Sequence, residues 1–391
     1  MPERVYLDWN ATAPLRPEAR DAVVGALDVL GNPSSVHGEG RAAKGLVERA
    51  RAQVAALVSC DASEVIFTSG STEAVALAFA QDWDVAACSP VEHDAILQQP
   101  CVEVVDRDFH NGGTPTVGRD GVFRGDFVSG FGLAAAPLKR GDRGFPRESR
   151  GLFALTAASS ETGVVQPTAD VFREFVGEFD ISRRFCDATQ IVGKMPWSMA
   201  AARCDYACLS AHKLGGPKGI GALVIRRGLD VVSQIKGGGQ EMGRRSGTEN
   251  IPGIAGFGAA AVAAARDLDA GAWERVAELR TFLETSLEGE DGPTILVGKE
   301  SRRLPNTSCL ITPGWKGETQ VMALDLAGFA VSAGSACSSG KVRESAVLRA
   351  MGYGAGEADC AIRVSLGPSV TMEQVERFVE TFLRLRNRRR S

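Results

Sequence analysis

Apolar residues recur along this chain in two rhythms. Glu64-Val65-Ile66-Phe67-Thr68 and Gly151-Leu152-Phe153-Ala154-Leu155-Thr156 are short, mostly apolar runs, as are Asp205–Leu209 and Gly221–Ile225. Such runs are expected of strands covered on both faces. Between them the spacing lengthens to that of a helix, as over Glu73–Ala80. Strand and helix patterns alternate for most of the length, which predicts an α/β fold with a mostly parallel sheet. From Trp273 the rhythm changes: Trp273, Val276, Leu279, Phe282, Leu283 and Leu287 fall on one face of an amphipathic helix. Strand patterns around Ser308–Ile311 and Ala361–Ser365 follow, then a last helix over Met372–Leu385. This predicts a smaller α+β domain at the C-terminal end. The boundaries read as 15–262 for the large domain, with 1–14 and 263–391 forming the small one. The longest apolar stretch, Gly253–Ala265, is too short for a bilayer and rich in Ala and Gly, which predicts a closely packed buried helix. One stretch fits neither rhythm: Phe109–Arg150 is rich in Gly, Arg and Pro and reads as coil.

Composition narrows the function classes. The chain has 391 residues, 44% hydrophobic and 24% charged, with room for two domains and a sizeable core. Its 44 Lys+Arg against 48 Asp+Glu give a net charge of −4, so there is no electrostatic footprint for nucleic acid. The arginines at 384, 386, 388, 389 and 390 read as a solvated tail. The first residues lack the charged-then-apolar order of a signal peptide, and no membrane association is expected. Nine cysteines without a CxxC pair argue for a reducing compartment, and the expected location is cytoplasmic. Most of these thiols read as core filler. Cys337 stands apart, in the small polar loop Ser335-Ala336-Cys337-Ser338-Ser339-Gly340-Lys341. A thiol in such a loop is available as a nucleophile.

Three segments carry chemistry. Thr68-Ser69-Gly70-Ser71-Thr72-Glu73 ends a strand and opens a helix, which makes an anion site or simply a capped helix. Cys186-Asp187-Ala188-Thr189-Gln190 puts a carboxylate at a strand end, where it caps a turn or faces the crevice at the carboxyl edge of the sheet. Ser210-Ala211-His212-Lys213-Leu214-Gly215-Gly216 puts a lysine just past another strand end. A lysine there is either an ordinary surface residue or a Schiff-base former. Together they match the needs of pyridoxal phosphate: a phosphate cradle, an acidic partner for a ring nitrogen and a reactive amine.

These residues resemble the cysteine desulfurases, within the class V aminotransferase group of fold-type I pyridoxal-phosphate enzymes. Further carriers of the resemblance are Leu7-Asp8 with Asn10-Ala11-Thr12, Gly31-Asn32-Pro33-Ser34-Ser35, Val91-Glu92-His93, Arg245-Ser246-Gly247-Thr248, Gly334-Ser335-Ala336-Cys337 and Arg363-Val364-Ser365-Leu366-Gly367. The resemblance covers nearly the whole chain except roughly Phe109–Arg150. It implies that Lys213 carries the cofactor, that Asp187 pairs with the ring nitrogen and that Gln190 bonds the ring's phenolic oxygen. His93 would stack on the ring and serve in proton transfer. Ser71, Thr72, Ser210 and His212 would hold the phosphate, and Thr248 would reach the phosphate of a second subunit in a homodimer. Arg363, with Asn32 nearby, would bind the carboxylate of L-cysteine. Cys337 would take the sulfur as a persulfide and pass it to an iron–sulfur scaffold or another acceptor protein, with a transient 2Fe–2S cluster at Cys337 as a further implied metal contact. Nitrogen fixation and general cluster supply are both open as its setting. Two departures stand out: Ser160 occupies a position where the family usually has an asparagine toward the phenolic oxygen, and Phe109–Arg150 replaces an expected helix and strand. Alternatives are a selenocysteine lyase or other class V enzyme, or a non-catalytic sulfur carrier on a degenerate enzyme fold.

Overall fold

A computed structural model describes residues 4–100, 102–104, 117, 119–120, 122, 150–178, 182–288, 294–334 and 344–388. Its strands are β1 (Val5–Tyr6), β2 (Val65–Thr68), β3 (Val85–Cys88), β4 (Val102–Val104), β5 (Gly151–Thr156), β6 (Arg183–Asp187), β7 (Tyr206–Ser210), β8 (Gly221–Ile225), β9 (Ile295–Leu296), β10 (Thr307–Ile311), β11 (Phe329–Ala330), β12 (Ser332–Ala333) and β13 (Ala361–Ser365). Its helices are α1 (Pro17–Leu27), α2 (Gly38–Leu57), α3 (Ser71–Phe79), α4 (Asp94–Leu97), α5 (Thr168–Glu178), α6 (Met199–Ala202), α7 (Ile251–Asp269), α8 (Ala272–Leu287), α9 (Gly317–Leu326), α10 (Ala346–Ala350), α11 (Ala355–Ala358) and α12 (Met372–Arg388). Phe109–Arg150 lies almost wholly outside the described residues, as does Cys337.

The large sheet has seven strands in the order β2-β8-β7-β6-β5-β3-β4. Only β8 runs against its neighbours; β7, β6, β5, β3 and β4 are parallel. The registers bring the carboxyl ends of the other strands to one edge. Gly221 lies opposite both Thr68 and Ser210, and Asp187 lies opposite both Thr156 and Cys208. Gly221 is required there, because a Cβ would lie 2.7 Å from the Gly70 backbone and 2.5 Å from the Leu209 carbonyl oxygen. Both faces of the sheet are covered, as the unbroken apolar runs predict. In β2, Val65 and Phe67 face one apolar cluster with Val54 and Phe257, while Ile66 faces the other with Val75 and Phe79.

Helix α7 is longer than the apolar stretch that announced it. At 19 residues it is long and apolar enough to cross a membrane, which corrects the length estimate from Gly253–Ala265. It is nevertheless packed inside the fold. Gly256 meets Val23 and Pro217, and Gly258 meets Ala50, so closely that added Cβ atoms would lie 2.6 and 2.7 Å from them. The helix also runs through position 262, where a domain boundary was expected; the chain turns only at Ala270 and Gly271, the latter at φ +68°.

The second sheet is antiparallel, with β13 between β12 and β10 and β9 at one edge. Its apolar cluster joins Trp273, Val276, Leu279, Leu283 and Leu287 of α8 to Val375, Phe378 and Phe382 of α12. Phe282 is partly buried at the margin of the same cluster. Val5 and Leu7 belong to this cluster too, although they begin the chain. Strand β1 pairs with β11, and Ser365 N–H donates to the Leu7 carbonyl at 2.8 Å. The C-terminal arginines are not all tail: α12 continues to Arg388, and Arg386 is buried with Nη1 donating to Thr294 Oγ1 at 3.1 Å. Its guanidinium finds a partner across the packing surface, which a run of charges in sequence does not disclose.

Candidate active site

Lys213 closes a single 3-10 turn, Ala211–Lys213, directly after β7. The turn is stitched to the N-terminal segment: Ala13 N–H donates to the His212 carbonyl at 2.9 Å, and His212 Nδ1 lies 3.1 Å from Thr12 Oγ1. Lys213 Nζ donates to the carbonyls of Asn10 at 2.5 Å and Ala11 at 2.9 Å. Burial lowers the Lys213 amine to about 8; Arg363 adds to this, while Asp187 and Asp8 oppose it. Burial, helped by Lys213 and Lys218, lowers His212 to about 4, so its ring is neutral around pH 7. An amine with so low a proton affinity spends an appreciable fraction of its time uncharged near neutrality, as a nucleophile or proton acceptor requires.

Asp187 ends β6, one strand over. Its Oδ1 accepts from Thr189 N–H at 2.9 Å and from the Cys208 thiol at 3.3 Å, and Oδ2 has no partner among the described residues. Gln190 follows in the same turn, 5% exposed, with Nε2 donating to the Asn10 carbonyl at 3.0 Å. Ser71 and Thr72 form the first turn of α3, two residues earlier than the periodicity indicated. Glu73 braces that turn by accepting from Ser69 N–H at 2.8 Å and Arg245 Nε at 2.9 Å. The free N–H groups of a nine-residue helix therefore open on the same edge as Ser210, a ready anion site.

His93 is exposed and caps α4; its Nδ1 accepts from Ala95 N–H at 3.0 Å. That acceptor role leaves the proton of the neutral ring on Nε2. Its neighbour Glu92 is 2% exposed and pins the loop, accepting at Oε1 from Ser89 Oγ at 2.7 Å and Thr156 N–H at 2.8 Å. Burial pushes Glu92 up to about 8, and the nearby Asp187 charge adds to the rise.

Arg363, on β13, is 8% exposed and already engaged within the chain. Nη2 pairs with Asp8 Oδ1 at 2.8 Å and Nη1 donates to the Ser160 carbonyl at 3.1 Å. Ser160 thus meets this junction through its backbone, and the Asn10 side chain donates to the same carbonyl at 3.2 Å. Asn32 is in an exposed turn with Oδ1 accepting from Ser34 N–H at 2.9 Å, and no hydrogen bond joins it to Arg363. Thr248 is exposed as well. It lines a cavity of about 240 Å³ with Thr68, Ser69, Arg245 and Glu249 of its own chain. The loop before it is anchored by Glu241, which accepts from both Arg51 Nη1 at 2.6 Å and Phe67 N–H at 2.8 Å. Cys337, the expected sulfur acceptor, lies outside the described residues.

Sequence reasoning assigned no role to three buried residues at this junction. Asn10 is 1% exposed, and its carbonyl accepts from both Lys213 and Gln190. Lys194 is 2% exposed and donates to Gln190 and Asn10. Glu161, pushed up to about 7 chiefly by burial, faces Arg363. Asn10 stood inside the Asn10-Ala11-Thr12 motif and Glu161 directly after Ser160, whereas Lys194 had only its four-residue offset from Gln190 as a signal. The assembled donor set fits pyridoxal phosphate: a partly buried amine, a strand-end carboxylate with an open oxygen and an anion-binding helix start share one sheet edge.

A family model described as aminotransferase class-V matches residues 5–104 and 147–378, passing over the coil-like stretch. A cysteine desulfurase of Cereibacter sphaeroides is 39% identical over 394 residues, covering 97% of this chain and 94% of the relative. Cysteine desulfurase IscS of Dictyoglomus turgidum is 35% identical over 393 residues, covering 98% and 95%. The crystal structure of a NifS-like protein from Rickettsia africae superposes with a TM-score of 0.85 at 29% identity, covering 98% of this chain and all of that one (100%). With the family model matched across most of its length, the chain belongs to the class-V aminotransferases.

Proposed function

We propose that this protein is a pyridoxal-phosphate-dependent cysteine desulfurase. The observation that carries the reading is the partly buried Lys213 amine, lowered to about 8, on the sheet edge that also presents Asp187 and the start of α3. Near-full-length similarity to cysteine desulfurases supports the same activity. When bound, pyridoxal phosphate supplies an aldehyde that captures amines and a protonated ring that withdraws electrons from the substrate's carbons. The remaining work belongs to the chain. Asp187 Oδ2 holds the proton on the ring nitrogen. Ser71, Thr72, Ser210 and neutral His212 bind the phosphate. Lys213 Nζ would hold the cofactor at rest and move the substrate's α-proton, and His93 would stack on the ring and assist proton transfer through Nε2. Arg363 binds the substrate carboxylate, which requires part of its fork to turn from Asp8 and Ser160.

In the balanced reaction L-cysteine and the Cys337 thiol become L-alanine and a Cys337 persulfide. The carbon–sulfur bond breaks, a carbon–hydrogen bond replaces it, and a sulfur–sulfur bond forms. The sulfur then passes to an acceptor protein of iron–sulfur assembly. We place Thr248 at the phosphate of a second copy in a homodimer, and the protein in the cytoplasm. Among the described residues seven cysteines are free, six of them buried, which supports a reducing compartment. The test is to supply pyridoxal phosphate and L-cysteine and to measure alanine, sulfide under reductant and the mass of the Cys337 peptide. Alanine formation with added sulfur on that peptide is expected. Alanine with the sulfur on another cysteine would refute the role of Cys337, and no alanine would refute the activity.

A further inference from the structure

Lys194 is buried, and among the described residues no acid neutralises it. It follows Gly193, whose φ of +76° bends the chain back so that the side chain points inward from the turn after β6. Its Nζ donates to two neutral carboxamide oxygens, Gln190 Oε1 at 2.7 Å and Asn10 Oδ1 at 2.9 Å. The charges that act on it, Lys213 and Arg363, are both positive, and with burial they hold its amine well below the ordinary lysine range. A lysine so placed is costly to the fold, and buried polar groups of this kind are retained where they set a geometry.

The geometry set here is the orientation of a carboxamide. Gln190 Oε1 receives the Lys194 amine, so Nε2 turns the other way and donates to the Asn10 carbonyl at 3.0 Å. That carbonyl also accepts from Lys213 Nζ at 2.5 Å, which puts the amide N–H group beside the reactive amine. Turning the amide over would set oxygen against the Asn10 carbonyl and N–H against Lys194, losing both bonds. Asn10 is fixed in the same way, since its Oδ1 accepts from Lys194 and, at 3.1 Å, from Asn306 Nδ2. We infer that Lys194 is a positioning residue: acting through Gln190 and Asn10, it keeps an amide N–H rather than a carbonyl turned toward Lys213 and the cofactor. This rests on the proposed cofactor chemistry and adds to it a residue that touches neither cofactor nor substrate.

The test uses the full chain and its Lys194→Met, Gln190→Ala and double variants. Three quantities are read: the melting temperature without cofactor, the dissociation constant for pyridoxal phosphate, and the pH midpoint of the bound cofactor's visible absorbance. That midpoint also feels Arg363, Asp187 and Asp8, which face Lys213 and stay unchanged in every variant. Lys194→Met should weaken cofactor binding about tenfold, the value of one buried hydrogen bond, and should move the midpoint. The double variant should bind no more weakly than Gln190→Ala, because Lys194 acts through Gln190. Additive losses, or a Lys194→Met protein with unchanged affinity and midpoint, overturn the inference. Should Lys194→Met not fold, Gln190→Glu decides: it keeps an acceptor for Lys194 and removes the N–H, so affinity equal to that of the unaltered chain overturns the inference. An unaltered chain that takes up no pyridoxal phosphate refutes the proposed function itself, and is measured first.

Discussion

Two junctions hold the N-terminal segment to the rest of the molecule, and they are built on opposite principles. At one, Val5 and Leu7 sit in an apolar cluster with α8 and α12. At the other, a few residues on, Asn10 gathers Lys213, Gln190, Lys194, Thr307 and Asn306 in a buried polar knot. The apolar junction is non-directional and redundant, because each side chain contributes roughly 1.5–3 kcal/mol through area removed from water. The polar knot is directional: each donor has a specified acceptor, and leaving one unmatched costs about 1–3 kcal/mol, more than the bond's net contribution. Stability should therefore respond mainly to the first junction and chemistry mainly to the second.

The largest expected effect is on chemistry alone. Lys213→Ala should lower alanine formation by at least about 10⁴-fold, the upper range for a positioned acid–base group, with no loss of melting temperature. A large loss of stability instead would show that the polar knot is structural as well. Next comes the converse substitution. Phe378 is fully buried and packs edge-on against Phe329 at 5.4 Å and stacked on Phe382 at 6.0 Å. Phe378→Ala should cost about 3–5 kcal/mol in denaturant unfolding. Cofactor affinity of the folded fraction should be unchanged; a parallel loss of affinity would mean that the two junctions are coupled.

Titration sharpens the contrast. Lys213 is lowered from 10.5 to about 8 in the fold, so the unfolded chain binds more protons between those values and stability rises with pH across them. In cofactor-free protein, Lys213→Met should be stabilising below pH 8 by at most about 3 kcal/mol, with the advantage fading by about pH 10.5. Glu92 runs oppositely: raised to about 8, it disfavours the fold as pH climbs from about 4.5, so Glu92→Gln should gain relative stability over that window. Equal pH profiles for variant and unaltered chains would remove these groups from the balance. The smallest effect belongs to a pair at the rim. Arg245 and Glu73 meet at 2.9 Å with side chains 24% and 19% exposed, and Arg245→Ala should cost under about 1 kcal/mol in unfolding. A larger loss would give this ion pair a share in holding the fold that its exposure does not explain.

The apolar framework was largely readable from periodicity. Strands β5, β8 and β13 start and end where their runs do, and the face predicted for α8 is the buried one apart from Phe282 at its margin. Local pattern suffices there because burial repeats with the geometry of the element. It failed where burial depended on a distant neighbour. Arg386 reads as tail but finds Thr294, and α7 runs past its apolar stretch into Arg266 and Asp267, which pair with Glu18 and Arg16.

For the site, the chemical types were legible and their arrangement was not. Lys213, Asp187 and the start of α3 stood at strand ends in sequence, so their common edge followed from a parallel sheet alone. The direction of each bond at Asn10 did not, because its partners lie up to 355 positions away and no local period links them. Lys194 is the limiting case. A lysine defaults to the surface in any reading of residue types, since burying its amine is costly. Only chain folding, which brings Gln190 Oε1 and Asn10 Oδ1 to the same point, makes its interior position tenable.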